Sequence, residues 1–175
     1  MPDLSPVPIP GSARARLLEL GVVRFQELGY ERANVVDIAR DAGVTTGSLY
    51  HHFKNKLGLY VVIRDEMETR MTERMEGAAA ALGGAGRPAI QAALEVAFDA
   101  AVRFGVTRIL AEPRPDQMPD RIASLLGELL PRSARPASAM LAAAWRCSLL
   151  AVADGAPPAA SKAGMRWVLN VQSAA

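Results

Sequence analysis

Cysteine is all but missing from this chain: Cys147 is the only one in 175 residues. That excludes an internal disulfide and any cysteine-based zinc cluster, and it points to a reducing, cytoplasmic compartment. Long hydrophobic runs are missing too. Charge-free windows such as 77–86 and 136–145 stop well short of the ~18 apolar residues of a membrane span, so no membrane partner is expected. Residues 1–11 hold four prolines and no apolar core, which excludes a secretory signal and reads as a flexible tail. Aromatic residues are scarce, at 5%, and no stretch alternates apolar with polar residues for long enough to make a strand. There is no internal repeat. An excess of one charge is missing as well. Lys and Arg number 20 against 18 Asp and Glu, a net of +2, so any footprint for an acidic partner has to be local.

What is present is ordinary for a globular chain: half of the residues are apolar and 22% are charged, enough for a core at this length. Abundant alanine and leucine favour helix. His51 and His52 are the only histidines. Neighbours on a helix diverge by about 100°, and with no third ligand nearby no metal is expected. Glu66 and Glu68 offer two carboxylates, but no nucleophile–base–orienter set or phosphate loop accompanies them. Neither an enzymatic activity nor a cofactor is expected.

The periodicity predicts about nine helices and an all-α fold, divided into the tail at 1–11, a compact head at 12–56 and a helical body at 57–175. Ser12 caps a first helix whose Leu17, Leu18, Gly21, Phe25 and Leu28 recur at helical spacing until Gly29 stops it. Asn34 caps a second, with Asp37 three residues on in capping-box position, and Gly43 ends it. Thr45 caps a third, running to about Phe53, which makes a helix-turn-helix. A long helix follows over 57–82, then helices over 89–104, 106–112, 120–130, 137–154 and 159–171.

The third helix carries the most information. Leu49 and Phe53 share one face and can close a small core with Ile38, Ala39, Val44 and Leu28. Gly47, Ser48 and His51 point the opposite way, with Thr46 and Tyr50 on the flank. A solvated face prefers Lys and Glu; small polar residues, a glycine and rings suit close approach to exposed hydrogen-bonding edges. Eight residues span about 12 Å, which fits the DNA major groove. Lys54 and Lys56 follow where they can meet phosphates on its rim.

This segment resembles the TetR family of bacterial transcriptional regulators. The likeness runs from Ser12 to about Tyr60 and rests on Phe25…Gly29-Tyr30, Asp37-Ile38-Ala39, Ala42-Gly43-Val44, Gly47, Leu49-Tyr50-His51-His52-Phe53 and Lys56 in the family's register. Three departures stand out: Ala33 and Asn34 replace hydroxyl residues, Thr46 occupies a position often held by longer side chains, and Leu57 replaces an acidic residue. The resemblance implies a homodimer with a three-helix DNA-binding head and a ligand-binding body, acting as a repressor on palindromic double-stranded operator DNA. It implies base reading by Thr46, Gly47, Ser48 and His51, and phosphate contacts from Tyr50, Lys54, Lys56 and His52.

Through Gly58 seven basic residues face six acidic ones, so affinity has to come from a local patch and from two heads acting together. In the body, Met67, Met71, Phe98, Phe104, Trp145 and Cys147 are the candidates to line a pocket for an unknown small-molecule effector, apolar rather than a multivalent cation. Arg146 beside Cys147 would lower its pKa if the two side chains approached. Alanine-rich surfaces on the last two helices suit close packing across a two-fold axis, and these helices are the expected dimer interface.

Overall fold

The computed structural model describes residues 10–170, which form nine α-helices and no strand. In order they are α1 (Ala13–Arg32), α2 (Val35–Asp41), α3 (Thr46–Phe53), α4 (Lys56–Ala80), α5 (Gly86–Arg103), α6 (Thr107–Ala111), α7 (Arg121–Leu129), α8 (Ala137–Ala153) and α9 (Pro158–Asn170), with a 3-10 turn at Arg132–Ala134. Most of the expected tail, and residue 171 of the expected last helix, lie outside the described residues. The chain divides into two compact units, one ending at Ile63 and the other beginning at Arg64. The first two turns of α4 therefore belong to the first unit.

Local chemistry sets the helices of the first unit. The Ser12 hydroxyl accepts from the Ala15 N–H at 3.2 Å, and the Thr45 hydroxyl accepts from the Ser48 N–H at 3.1 Å. Gly43, at φ +64°, makes the turn between α2 and α3. Two details differ from the sequence reading. Gly29, at φ +77°, kinks α1 without stopping it, and one more turn runs to Arg32. That turn carries Tyr30 onto the ring of Tyr60, 4.9 Å away. Asp37 does not reach back to form a capping box. Its carboxylate pairs with Arg40 at 2.9 Å, one turn ahead on α2, and Asn34 alone caps the helix through the Val36 N–H.

The core of this unit is Leu17, Phe25, Ile38, Leu49, Leu59 and Tyr60, all fully buried. Leu28 and Val44, expected beside Leu49, are only half-buried; Phe25 and Tyr60, edge to face at 5.0 Å, are buried in this unit. Arg16 fixes α1 to the end of α2 by donating from Nε to the Ala42 carbonyl at 2.9 Å. The turn into α4 is tighter still. A Cβ on Gly58 would be driven into the carbonyl oxygen of Phe53, a backbone atom that cannot swing aside. Gly58→Ala is therefore expected to cost the first unit about 1–3 kcal/mol. Faster amide exchange in α1–α3 than in the parent protein would register it, and unchanged exchange would refute it.

The second unit buries Met71, Met75, Leu94, Phe98, Ile109, Leu126, Trp145 and Leu149. Helix α5 begins at Gly86, three residues before the expected start, because Pro88 falls in the first turn, where no intrahelical N–H is needed. Inside this unit lies a charged network. Glu68 is 0% exposed and Arg64 1%. Arg64 Nε donates to Glu68 at 2.7 Å, and its two terminal nitrogens donate to the carbonyls of Ile109, Leu110 and Glu112 at the end of α6. Arg114 reaches the other oxygen of Glu68 at 2.8 Å and also pairs with Asp65 and Asp116.

Helices α5 and α9 are tied by charge. Arg166 Nε donates to Glu95 at 2.8 Å, and Lys162 pairs with Asp99 at 2.6 Å. The Arg166 guanidinium, helped by Gln91, outweighs burial and holds the Glu95 carboxyl down at about 2. A carboxyl depressed in the folded state contributes its stability fully above its unfolded pKa and loses it as pH falls through the folded value. The stability difference between the parent and Glu95→Gln is thus expected to be full at pH 7 and to fade from about 4.5 down to about 2. Urea melts at a series of pH values measure this, and a difference that does not change with pH would contradict it.

Candidate nucleic-acid interface

Helix α3 presents the outward face that the sequence describes. Leu49 and Phe53 are buried beneath it. Gly47, Tyr50, His51, His52 and Lys54 are exposed, while Thr46 and Ser48 are half-buried at its start. The His51 and His52 rings meet edge to face at 5.3 Å. Among the described residues no group of three or more His, Cys, Asp or Glu is placed to hold a metal ion.

Two positions on this face are unfavourable for the fold alone. A Cβ on Gly47 would touch nothing closer than the Thr45 hydroxyl at 3.7 Å. Alanine would fit, and glycine inside a helix costs about 1 kcal/mol relative to it. No neighbour in the structure requires the missing side chain. Lys54 has φ +64° at the C-cap of α3, a backbone region where glycine is at ease and a long side chain is not. An exposed cation is held there nonetheless.

The other cations differ in their freedom. Lys56 Nζ donates to the Glu31 carbonyl at 2.9 Å and lies 4.6 Å from the centre of the Tyr30 ring, so one of its donors is committed to α1. Arg14 covers the Phe53 ring at 5.5 Å. Asn55 caps α4 by accepting from the Gly58 N–H at 2.8 Å, which offsets the acidic residue that Leu57 replaces.

In the second unit the structure does not gather the six pocket candidates. Met71, Phe98 and Trp145 are buried in the core, and Met67 is half-buried. Phe104 is exposed at the C-cap of α5, with the Arg74 guanidinium 5.0 Å over its ring. Cys147 is exposed and lines a cavity of about 410 Å³ together with Arg64, Arg114, Met118, Asp120 and Arg146. The two terminal nitrogens of Arg146 donate to the Asp120 carboxylate, one of them at 2.8 Å. Burial pushes the Asp120 carboxyl up, but Arg146 and the Ala123 N–H outweigh it and hold the group below the usual carboxylate range. Phe98 lines a separate cavity of about 360 Å³ beside Lys162. The buried indole Nε1 of Trp145 has no acceptor among the described residues. On α8 and α9, Met140, Leu150, Trp167 and Val168 are all exposed, and among the described residues no helix is long and apolar enough to cross a membrane.

Residues 17–63 match the sequence profile described as "Bacterial regulatory proteins, tetR family". The HTH-type transcriptional repressor KstR2 of Mycolicibacterium smegmatis is 49% identical over 47 residues, 27% of this chain and 23% of that one. The A-factor receptor protein of Streptomyces griseus is 42% identical over 53 residues, 30% of this chain and 19% of that one. The matched segment thus spans less than a quarter of the length of these relatives. Among solved structures, a TetR transcriptional regulator from Rhodococcus sp. RHA1 superposes with a TM-score of 0.56 at 18% identity, over 91% of this chain and 94% of that one. A TetR-family regulator from Streptomyces coelicolor A3 does so with a TM-score of 0.52 at 17% identity, over 96% and 99%. At these identities the structural likeness speaks to the fold.

Proposed function

We propose, from the match of residues 17–63, that the chain is a cytoplasmic repressor of the TetR family of bacterial transcriptional regulators, whose homodimer binds a palindromic operator and is released by a small, largely apolar molecule. The observation that carries this reading is the exposed face of α3, where a glycine with no structural reason stands beside His51 and Ser48. On it Thr46, Gly47, Ser48 and His51 read base edges in the major groove. Tyr50 and Lys54 grip phosphates at the rim, with His52 and the remaining donors of Lys56 beside them. The α8–α9 face pairs two copies, so that two weakly basic heads engage one duplex together. A ligand in the second unit releases DNA only to the extent that it binds the DNA-free state more tightly.

Selection of bound duplexes from a random pool by the full-length protein tests this. A palindromic motif is expected, with affinity that falls steeply with salt. His51→Ala is expected to lower affinity about tenfold and to relax the motif at one position in each half-site. If the folded protein enriches no sequence at low salt, both as purified and after unfolding, ligand removal and refolding, the DNA reading is wrong.

A further inference from the structure

The 410 Å³ cavity of the second unit carries three guanidiniums, which at first sight suits an anion. Their partners reverse that reading. Arg64 is occupied by Glu68 and by three carbonyls of the α6 end. Arg114 is occupied by Glu68, Asp65 and Asp116. Arg146 faces Asp120. The arginines are thus already balanced by the carboxylates behind them, and an added negative charge would find no uncompensated cation.

What the cavity still offers is hydrogen-bond donors. Arg146 carries five N–H donors and gives two of them to Asp120. Its Nε–H and one N–H on each terminal nitrogen have no acceptor among the described residues. Asp120 cannot turn to serve them, because the same carboxylate caps α7 by accepting from the Ala123 N–H at 3.0 Å. The rest of the lining is mostly apolar, with Ala111, Pro113, Met118 and Ala143 beside Gln117 and Cys147.

We infer that this cavity takes an uncharged, largely apolar molecule bearing a carbonyl oxygen, a ketone, ester or lactone, which accepts from Arg146. The inference rests on the reading above that the second unit holds a small effector, and it gives that effector's chemical class. Arg146 acts as a neutral site would, donating without demanding a counter-charge, because Asp120 has already supplied one.

The test is calorimetric titration of the full-length protein, without DNA, with three probes of equal chain length: 2-decanone, decanoate and decylammonium. The ketone is expected to bind once per chain. Decanoate is expected to bind at least roughly tenfold more weakly, since it adds charge to a balanced site, and decylammonium more weakly still, since it offers no acceptor. Because Arg146→Gln alone would strand Asp120, the informative variant is Arg146→Gln with Asp120→Asn, which keeps the α7 cap and removes the guanidinium. It is expected to weaken 2-decanone roughly tenfold, with decanoate still the weaker ligand because the net charge of the site is unchanged. Tighter binding of decanoate than of the ketone, no ketone binding by the parent, or full ketone binding by the double variant would each overturn the inference. Since DNA takes no part, a protein that binds the ketone through Arg146 yet selects no duplex would retire the regulator reading and leave this one standing.

Discussion

Trp167→Glu is expected to convert the proposed homodimer to a monomer and to lower its affinity for a selected duplex about a hundredfold, because the second head then no longer binds as part of the same molecule. Trp167 is 70% exposed on α9, and Met140, on α8, is 69% exposed. Large apolar side chains left in water on two adjacent helices mark a surface that associates, and tryptophan is the side chain most often found to dominate such surfaces. Ala160, Ala163 and Gly164 are exposed on the same helix, small enough for a partner's backbone to come close. A two-fold axis would bring the substitution in twice, placing two like charges in one apolar contact. Since the side chain meets mainly solvent within a single copy, the helical content of the variant should match the parent by circular dichroism. Sedimentation and fluorescence anisotropy on a selected duplex measure the rest. A variant that sediments as a dimer would place the association surface elsewhere on the chain.

Glu68→Ala is expected to destabilise the second unit by about 3–5 kcal/mol. The carboxylate is fully buried between Arg64 and Arg114. Arg114 keeps Asp65 and Asp116 when Glu68 is gone, whereas Arg64, itself buried, loses the carboxylate that its Nε meets at 2.7 Å. The comparison that isolates the effect is Glu66→Ala. Glu66 pairs with Arg70 at 2.8 Å with both side chains about half-exposed, and exposed pairs of this kind contribute within about 1 kcal/mol. Denaturant unfolding of both variants should separate them clearly; equal stabilities would mean that the buried network contributes no more than a surface pair.

These two pairs also show where sequence reading stops. Arg64–Glu68 and Glu66–Arg70 have the same spacing on the same helix, and nothing in the amino-acid order says that one is sealed in and the other wet. The difference comes from α6 and Arg114, some fifty residues away, which supply the carbonyls and the second guanidinium. The helix-turn-helix was legible because its determinants are local: Ser12, Asn34 and Thr45 cap their helices, and Gly43 takes the positive φ of the turn. The capping box at Asp37 was misread for a local reason too, since Arg40 one turn ahead competes for the same carboxylate. Among the pocket candidates, the large apolar side chains were the natural guess. Met71, Phe98 and Trp145 are drawn into the core for that same apolar character, while the cavity that holds Cys147 is built around the arginines at 64, 114 and 146. Their partners come from separate elements, and no periodicity announces them.

Helix α6 has only five residues, too few to repay the cost of starting a helix in water. Its terminal carbonyls are bound by a side chain from α4, a planar group with its donors fixed in one fork. Fraying of its C-terminal end is therefore coupled to Arg64: freeing those carbonyls means breaking the bonds of a guanidinium that Glu68 also holds. Opening this end of the short helix thus draws on the buried cluster, and part of what holds it comes from a residue more than forty positions earlier in the chain.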